Sequence, residues 1–260
     1  MKNQVKKAVD DITAVLVKWD GVKAVVLQHF VEKDIYDPNF SISLDVFRDG
    51  EIPGREERQA AFPEAQYFES SGTRVKDRFM LNDLPVRISF KDCSRVDAVL
   101  AALDGDNWLF MERGTYLFHR IAAGTVVWTR DDWINGVLSR LDNLPDSFWH
   151  TWIESSRRRI DHFLSDMAAA AVKEDDLYFR LSLSGFLKSS VELLFAVNRV
   201  FEPGPRAYAA YLDMLEILPA GFEANWNSLI REDTELPPER KQEVAGLLAR
   251  GLFSLGLYTQ

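Results

Sequence analysis

One cysteine, Cys93, stands among 260 residues. A lone thiol excludes an intrachain disulfide framework and a zinc cluster built from cysteines, and it fits a reducing compartment. Long apolar runs are missing as well. Uninterrupted stretches such as Leu193 to Val197 span a few residues, far short of the roughly 20 that cross a bilayer. The start, Met1-Lys2-Asn3-Gln4-Val5-Lys6-Lys7, leads into an amphipathic pattern and not into the apolar core of a secretion signal. These absences predict a cytoplasmic protein with no membrane partner. Basic charge is not in excess either: a formal net charge of -9 argues against coating nucleic acid and leaves room only for local basic patches. The sequence has no Walker loop, no dinucleotide glycine fingerprint, no nucleophile elbow and no paired-histidine metalloprotease helix. Internal repeats and low-complexity tracts are also missing.

What is present is the composition of a globule, 47% hydrophobic and 12% aromatic, in a chain long enough to bury a substantial core as one large domain or two small ones. Val5, Val9, Ile12, Leu16 and Trp19 recur at helical spacing, and Asp20-Gly21 closes that segment before Val22 to Leu27, a buried strand. After the turn Asp37-Pro38-Asn39, the run Ser41 to Val46 alternates polar and apolar, which predicts a strand with Ile42, Leu44 and Val46 facing a core. A short helix is expected over Arg55 to Phe62. Arg74 to Leu81 and Pro85 to Lys91 read as a hairpin about Asn82-Asp83. Ser94 is a plausible N-cap for a helix over Arg95 to Leu103. Residues 106–128 carry no pattern that assigns an element. Beyond Thr129 helical patterning dominates, with one apolar stripe through Trp149, Trp152, Ile153, Ile160, Phe163, Leu164 and Met167 and another through Leu183, Leu187, Val191, Leu194 and Phe195.

Polar residues on the strands carry the candidate chemistry. The outward parity of Ser41 to Val46 presents Ser43 and Asp45, and that of Val86 to Lys91 presents Arg87, Ser89 and Lys91. Asp45 with Arg87 or Lys91 suits a cross-strand ion pair of roughly 0.2–1 kcal/mol without catalytic meaning. The stretch Glu69 to Arg78 gathers Ser70, Ser71, Gly72, Thr73, Lys76 and Arg78. It suits either a phosphate, with Lys76 or Arg78 supplying charge, or a solvated hairpin strand. Arg157 and His162 lie on a stripe-bearing helix whose charges also fit a salt-bridged solvated face. His29, His119 and His150 are scattered. Asn198 falls on an apolar stripe, where its amide is expected to bond a neighbouring segment or cap the helix end.

The run Val-Lys-Ala-Val-Val-Leu, a loop, and then Ile-Ser-Leu-Asp-Val, within Val22 to Val46, resembles the core of the nucleotidyltransferase superfamily. Leu194 to Gly204 resembles the helical domain that accompanies a subset of those proteins. The resemblance implies an α+β fold: a mixed sheet with flanking helices over residues 1–125, followed by an all-helical bundle over 126–260, with the ligand in the cleft between them. It implies Mg²⁺ held by Asp45 as the catalytic carboxylate, with Lys76, Arg87 or Lys91 contacting phosphates. Read from the residues, Ser43 and Arg78 are further candidates for contacting a nucleotide or other phosphorylated anion, and Glu69 is a candidate further metal ligand. Asp34, Asp37 and Asp77 are further candidates for supplying a missing acid. The chain departs from the family pattern where it matters most. His29-Phe30 stands where a glycine-serine turn should approach the phosphates, Ser43 replaces the first of the paired aspartates, and Arg87, Ser89 and Lys91 occupy the strand that should bring a third acid. The expectation is a nucleotide- or anion-binding protein with its catalytic carboxylates largely lost. The alternatives are an active Mg²⁺-dependent enzyme moving a nucleoside monophosphate to an acceptor, an interaction protein, or a ribonuclease-like helical domain built on Arg157 and His162.

Overall fold

The computed structural model describes residues 2–29, 39–71, 76–103, 115–232 and 235–255. The chain divides into two compact units, residues 1–144 and 145–260. The first ends later than the 125/126 boundary expected from the sequence, because a strand beginning at Thr125 belongs to its sheet.

The first unit opens with helix α1 (Lys2–Leu16) and strands β1 (Val22–Leu27) and β2 (Ile42–Arg48). Helix α2 (Arg55–Ala60) follows, then β3 (Gln66–Ser70), β4 (Lys76–Leu81) and β5 (Leu84–Asp92). It is completed by α3 (Cys93–Ala101), α4 (Tyr116–Ala122), β6 (Thr125–Thr129) and α5 (Trp133–Asp142). The six strands form one sheet in the order β3-β4-β5-β2-β1-β6. Among the described residues only β2 and β5 pair in parallel; the other neighbours run antiparallel. The expected hairpin joins β4 to β5, with both turn residues in the left-handed region, Asn82 at φ 49° and Asp83 at φ 62°. This is the twist that a two-residue loop needs to match its strands.

One face of the sheet carries Val25, Ile42, Leu44, Val46, Phe79, Leu81, Val86 and Ile88, packed in one core with Val5, Ala8, Val9, Ile12 and Leu16 of α1. Ile42, Leu44 and Val46 therefore face the core, as their alternation predicts. The other face is mixed. Near β1 and β2 it is apolar, with Ala24, Val26 and Phe47 buried and Phe47 packed against Trp133 at the start of α5. Toward β5 and β4 it is polar. α3 starts at Cys93 with Asp92 in the capping position, two residues before the start that a Ser94 cap would give. α4 and β6 occupy the stretch whose pattern assigned no element.

The second unit is helical: α6 (Asp146–Val172), α7 (Asp176–Val197), α8 (Tyr208–Leu212), α9 (Phe222–Ile230) and α10 (Pro238–Leu255). α6 and α7 form a long pair against which α10 packs. Their core holds Phe148, Trp152, Ile160, Met167, Phe186 and Phe195, drawn mostly from the two stripes. Asn198 closes α7. Its Nδ2 donates to the carbonyls of Leu194 and Ile217, each at 2.9 Å, and its Oδ1 accepts from the Ile217 amide at 2.8 Å. No helix among the described residues is long and apolar enough to cross a membrane.

Candidate functional site

Strand register decides which polar side chains can meet. In the parallel pair, Ser43 lies beside Arg87, Asp45 beside Ser89 and Phe47 beside Lys91. In the β4–β5 pair, Lys76 lies beside Ser89 and Arg78 beside Arg87. Side chains at paired positions share a face, so Ser43, Asp45, Lys76, Arg78, Arg87 and Lys91 stand together on the polar part of the sheet.

Asp45 is the centre of this group and is fully buried. Arg120 reaches it from α4 in a forked pair, Nε to Oδ2 at 2.6 Å and Nη2 to Oδ1 at 2.7 Å. Lys91 Nζ stands 3.0 Å from Oδ2, and Gln28 Nε2 donates to the same oxygen at 3.2 Å. Burial alone would push the Asp45 carboxyl up, but the charges of Lys91 and Arg120 outweigh it and hold the group below the ordinary aspartate range. For Arg120 burial opposes the charge, and Asp45 more than compensates, keeping the guanidinium firmly protonated. Arg120 also donates to Tyr116 Oη at 3.3 Å and reaches Ser43 Oγ at 3.4 Å. Lys91 in turn lies over the Phe47 ring.

Beyond this pair the face stays basic. Lys76 is pulled below its ordinary value, first by partial burial and then by the nearby charges of Arg78, Arg87 and Arg120. Among the described residues neither Lys76 nor Arg78 forms an ion pair with an acid.

The other candidates disperse. Glu69 lies exposed on β3, opposite Arg78 and three strand positions from β2. At about 4.8 Å per strand this is roughly 14 Å, so Glu69 and Asp45 do not share a metal ion. Asp77 points to the opposite face of β4, where the buried Arg58 grips it at 2.8 and 3.0 Å. Asp34, Asp37, Phe30 and Gly72 lie outside the described residues. Arg157 donates to Glu154 at 2.7 Å and to the Phe253 carbonyl at 2.8 Å. His162 is exposed, with Asp166 at 3.5 Å; five positions along a helix set the two side chains about 140° apart. Pockets among the described residues lie elsewhere, one lined by Ala224, Asn227, Ser228, Arg231 and Leu236 and another by Lys23, Asp49, Cys93, Asp97 and Asp131 among others. Neither contains Asp45.

Sequence reasoning missed Arg120 and Gln28. Arg120 had a usable signal: Leu117, Phe118 and Ile121 are buried at helical spacing, which would have placed a helix with Arg120 on its edge. Gln28 continues the run of β1 one residue past its end, and its amide nitrogen bridges Asp45 and the Arg120 carbonyl.

Among the described residues, the donors around Asp45 do not fit Mg²⁺. A hard cation needs carboxylate lone pairs directed at it, and the lone pairs of Asp45 already meet four contacts from Arg120, Lys91 and Gln28. No group of three or more acids, histidines or cysteines among the described residues is placed to hold a metal.

No protein-family model matches the sequence, and no curated protein matches it. Among solved structures the chain is similar to a nucleotidyltransferase-like protein from Exiguobacterium sibiricum 255-15, at a TM-score of 0.50 and 14% identity over 96% of this chain and 73% of that one. It also aligns with an aminoglycoside 6-adenyltransferase from Bacillus subtilis, at 8% identity and a TM-score of 0.34 over 97% of this chain and 91% of that one, too distant to carry weight. The first likeness establishes the class of fold: an α+β, nucleotidyltransferase-like architecture with a mixed six-stranded sheet, flanking helices and a helical C-terminal part.

Proposed function

We propose that the polar face around Asp45 binds a nucleotide or another phosphorylated anion and that its catalytic carboxylates have largely been lost. One observation carries this reading: Asp45, buried on this face and already neutralised by Arg120 and Lys91, is flanked by Lys76, Arg78 and Arg87 on adjoining strands. Asp45 then organises cations and does not hold a metal. Arginine forks and ammonium groups are the natural partners of phosphate oxygens, and Ser43 and Ser89 add hydroxyl groups on the same rows. The fold supports a nucleotide as the first ligand to test, since the Exiguobacterium neighbour is described as nucleotidyltransferase-like.

Transfer of a nucleoside monophosphate through two metal ions about 3.5–4 Å apart needs several acids around them, and the rows beside Asp45 on this face carry Ser43, Arg87, Ser89 and Lys91 instead. Calorimetric titration with each nucleoside triphosphate tests the reading. Binding of at least one is expected, weakened about tenfold or more by Lys76→Met or Arg87→Met, the usual range for a lost charge-assisted hydrogen bond. Silence from every nucleotide, or binding indifferent to both substitutions, removes the proposal.

A further inference from the structure

The anion site proposed above leaves open whether its ligand arrives with a divalent ion, and the contacts of Asp45 bear on that. A carboxylate offers two oxygens and about four lone-pair directions. Here Oδ2 meets Arg120 Nε, Lys91 Nζ and Gln28 Nε2, while Oδ1 meets Arg120 Nη2. A guanidinium and an ammonium thus occupy the space in which a divalent cation would approach the carboxylate, and both carry positive charge within 3.0 Å of it. A further cation in contact with Asp45 would meet two like charges at close range, with Lys76, Arg78 and Arg87 on the strands beside them. Side-chain exposures of 23% for Lys91 and 18% for Arg120 leave edges of both cations open to a ligand.

We infer that this face takes its polyphosphate free of divalent metal: Arg120 and Lys91 act as a built-in counter-charge in place of a metal ion, and Mg²⁺ competes with the protein for the ligand. The inference rests on the reading of the face as an anion site. Its physical basis is charge. A free nucleoside triphosphate carries about four negative charges at neutral pH and its magnesium complex about two, so chelation removes roughly half of the Coulomb attraction to fixed protein cations. A site that used the metal as a bridge would show the opposite dependence.

The experiment is a calorimetric titration of the whole chain with ATP and, separately, with inorganic tripolyphosphate, in EDTA and in excess MgCl₂ at matched ionic strength. ATP is expected to bind about tenfold or more tightly in EDTA than in MgCl₂, and tripolyphosphate is expected to show the same order. The ratio of the two affinities separates recognition of the nucleoside from recognition of the phosphate chain. Lys76→Met and Arg78→Met, neither of which removes a hydrogen bond to Asp45, should weaken both probes in EDTA. Binding that tightens with Mg²⁺ overturns the inference while leaving the anion site standing. Failure of both probes in both buffers overturns the site and the inference together. An independent arm titrates Mn²⁺ alone and follows its paramagnetic signal: tight binding that disappears in Asp45→Asn also overturns the inference.

Discussion

Two aspartates with no exposed surface, Asp45 and Asp77, show how one residue type acquires two jobs from its surroundings. Both lie on strands and both are held by an arginine fork, yet they sit on opposite faces of the sheet. Asp77 is enclosed with Arg58, which also donates to the Pro53 carbonyl and to Ser70 Oγ, each at 2.8 Å, so this pair is internal. Asp45 meets cations whose other edges reach the surface. Truncating one member of a buried pair strands its partner's charge, at a cost of about 3–5 kcal/mol. Asp77→Ala should therefore lower the urea unfolding free energy by that amount while leaving anion affinity per folded molecule unchanged. A fall in affinity at full folding would place Asp77 in the site after all. Strand parity in the sequence assigned Asp45 and its cationic neighbours to one face, because a period of two is a local property. The fork from Arg120 was not legible, since it joins positions 75 residues apart.

Elements constrain the site through their ends. α4 holds Arg120 over Asp45, and Gly124, which follows that helix, allows β6 to approach β1. A Cβ at this position would crowd the Val26 side chain and lie 2.8 Å from the Arg120 carbonyl oxygen and 3.1 Å from Gln28 Nε2. Gly124→Ala is thus expected to cost about 1–3 kcal/mol by overpacking and to weaken anion binding through the displaced Arg120. Thermal melts and the ATP titration check the two effects separately. The long helices illustrate a signal the sequence conceals. α6 and α7 both end in a Schellman arrangement: the Asp175 amide reaches back to the Ala170 carbonyl and the Val200 amide to that of Phe195. The left-handed positions are Glu174 at φ 52° and Arg199 at φ 54°, where glycine would be the usual marker. Glu174→Gly relieves a left-handed side chain at some cost in chain entropy, so a gain of about 0.5–1 kcal/mol in unfolding free energy is expected. A loss measured in denaturant would mean that the Glu174 side chain contributes more than its backbone conformation costs.

For the whole molecule, the depressed Asp45 carboxyl ties stability to pH. Its folded pKa lies below its ordinary value because Lys91 and Arg120 overcome the burial effect that would raise it. The sign follows from linkage: the folded state releases this proton more readily than the unfolded chain, so the contribution is fully present above the unfolded pKa near 4 and is lost as pH falls through the folded value. Melting temperature should therefore be insensitive to this group above about pH 5 and should drop in acid. Asp45→Asn, already neutral, should flatten that acid limb; an unchanged limb would show that other carboxylates account for it. The chain carries 40 acids against 31 lysines and arginines, so its basic face is a local exception on a negative protein.

The sequence by itself determined the alternating strands, the hairpin at Asn82-Asp83, the amphipathic helices of the second unit and the scarcity of acids beside Asp45. Each of these is written in spacing along a short stretch of chain, where the periods of helix and strand act directly on burial. Only the tertiary structure decided that β6 joins the sheet at β1, that β2 and β5 run parallel, and that Arg120 and Gln28 close around Asp45. Those choices depend on which distant segments pack together once loops have closed, a balance of chain entropy against buried area and paired charge to which no local pattern points.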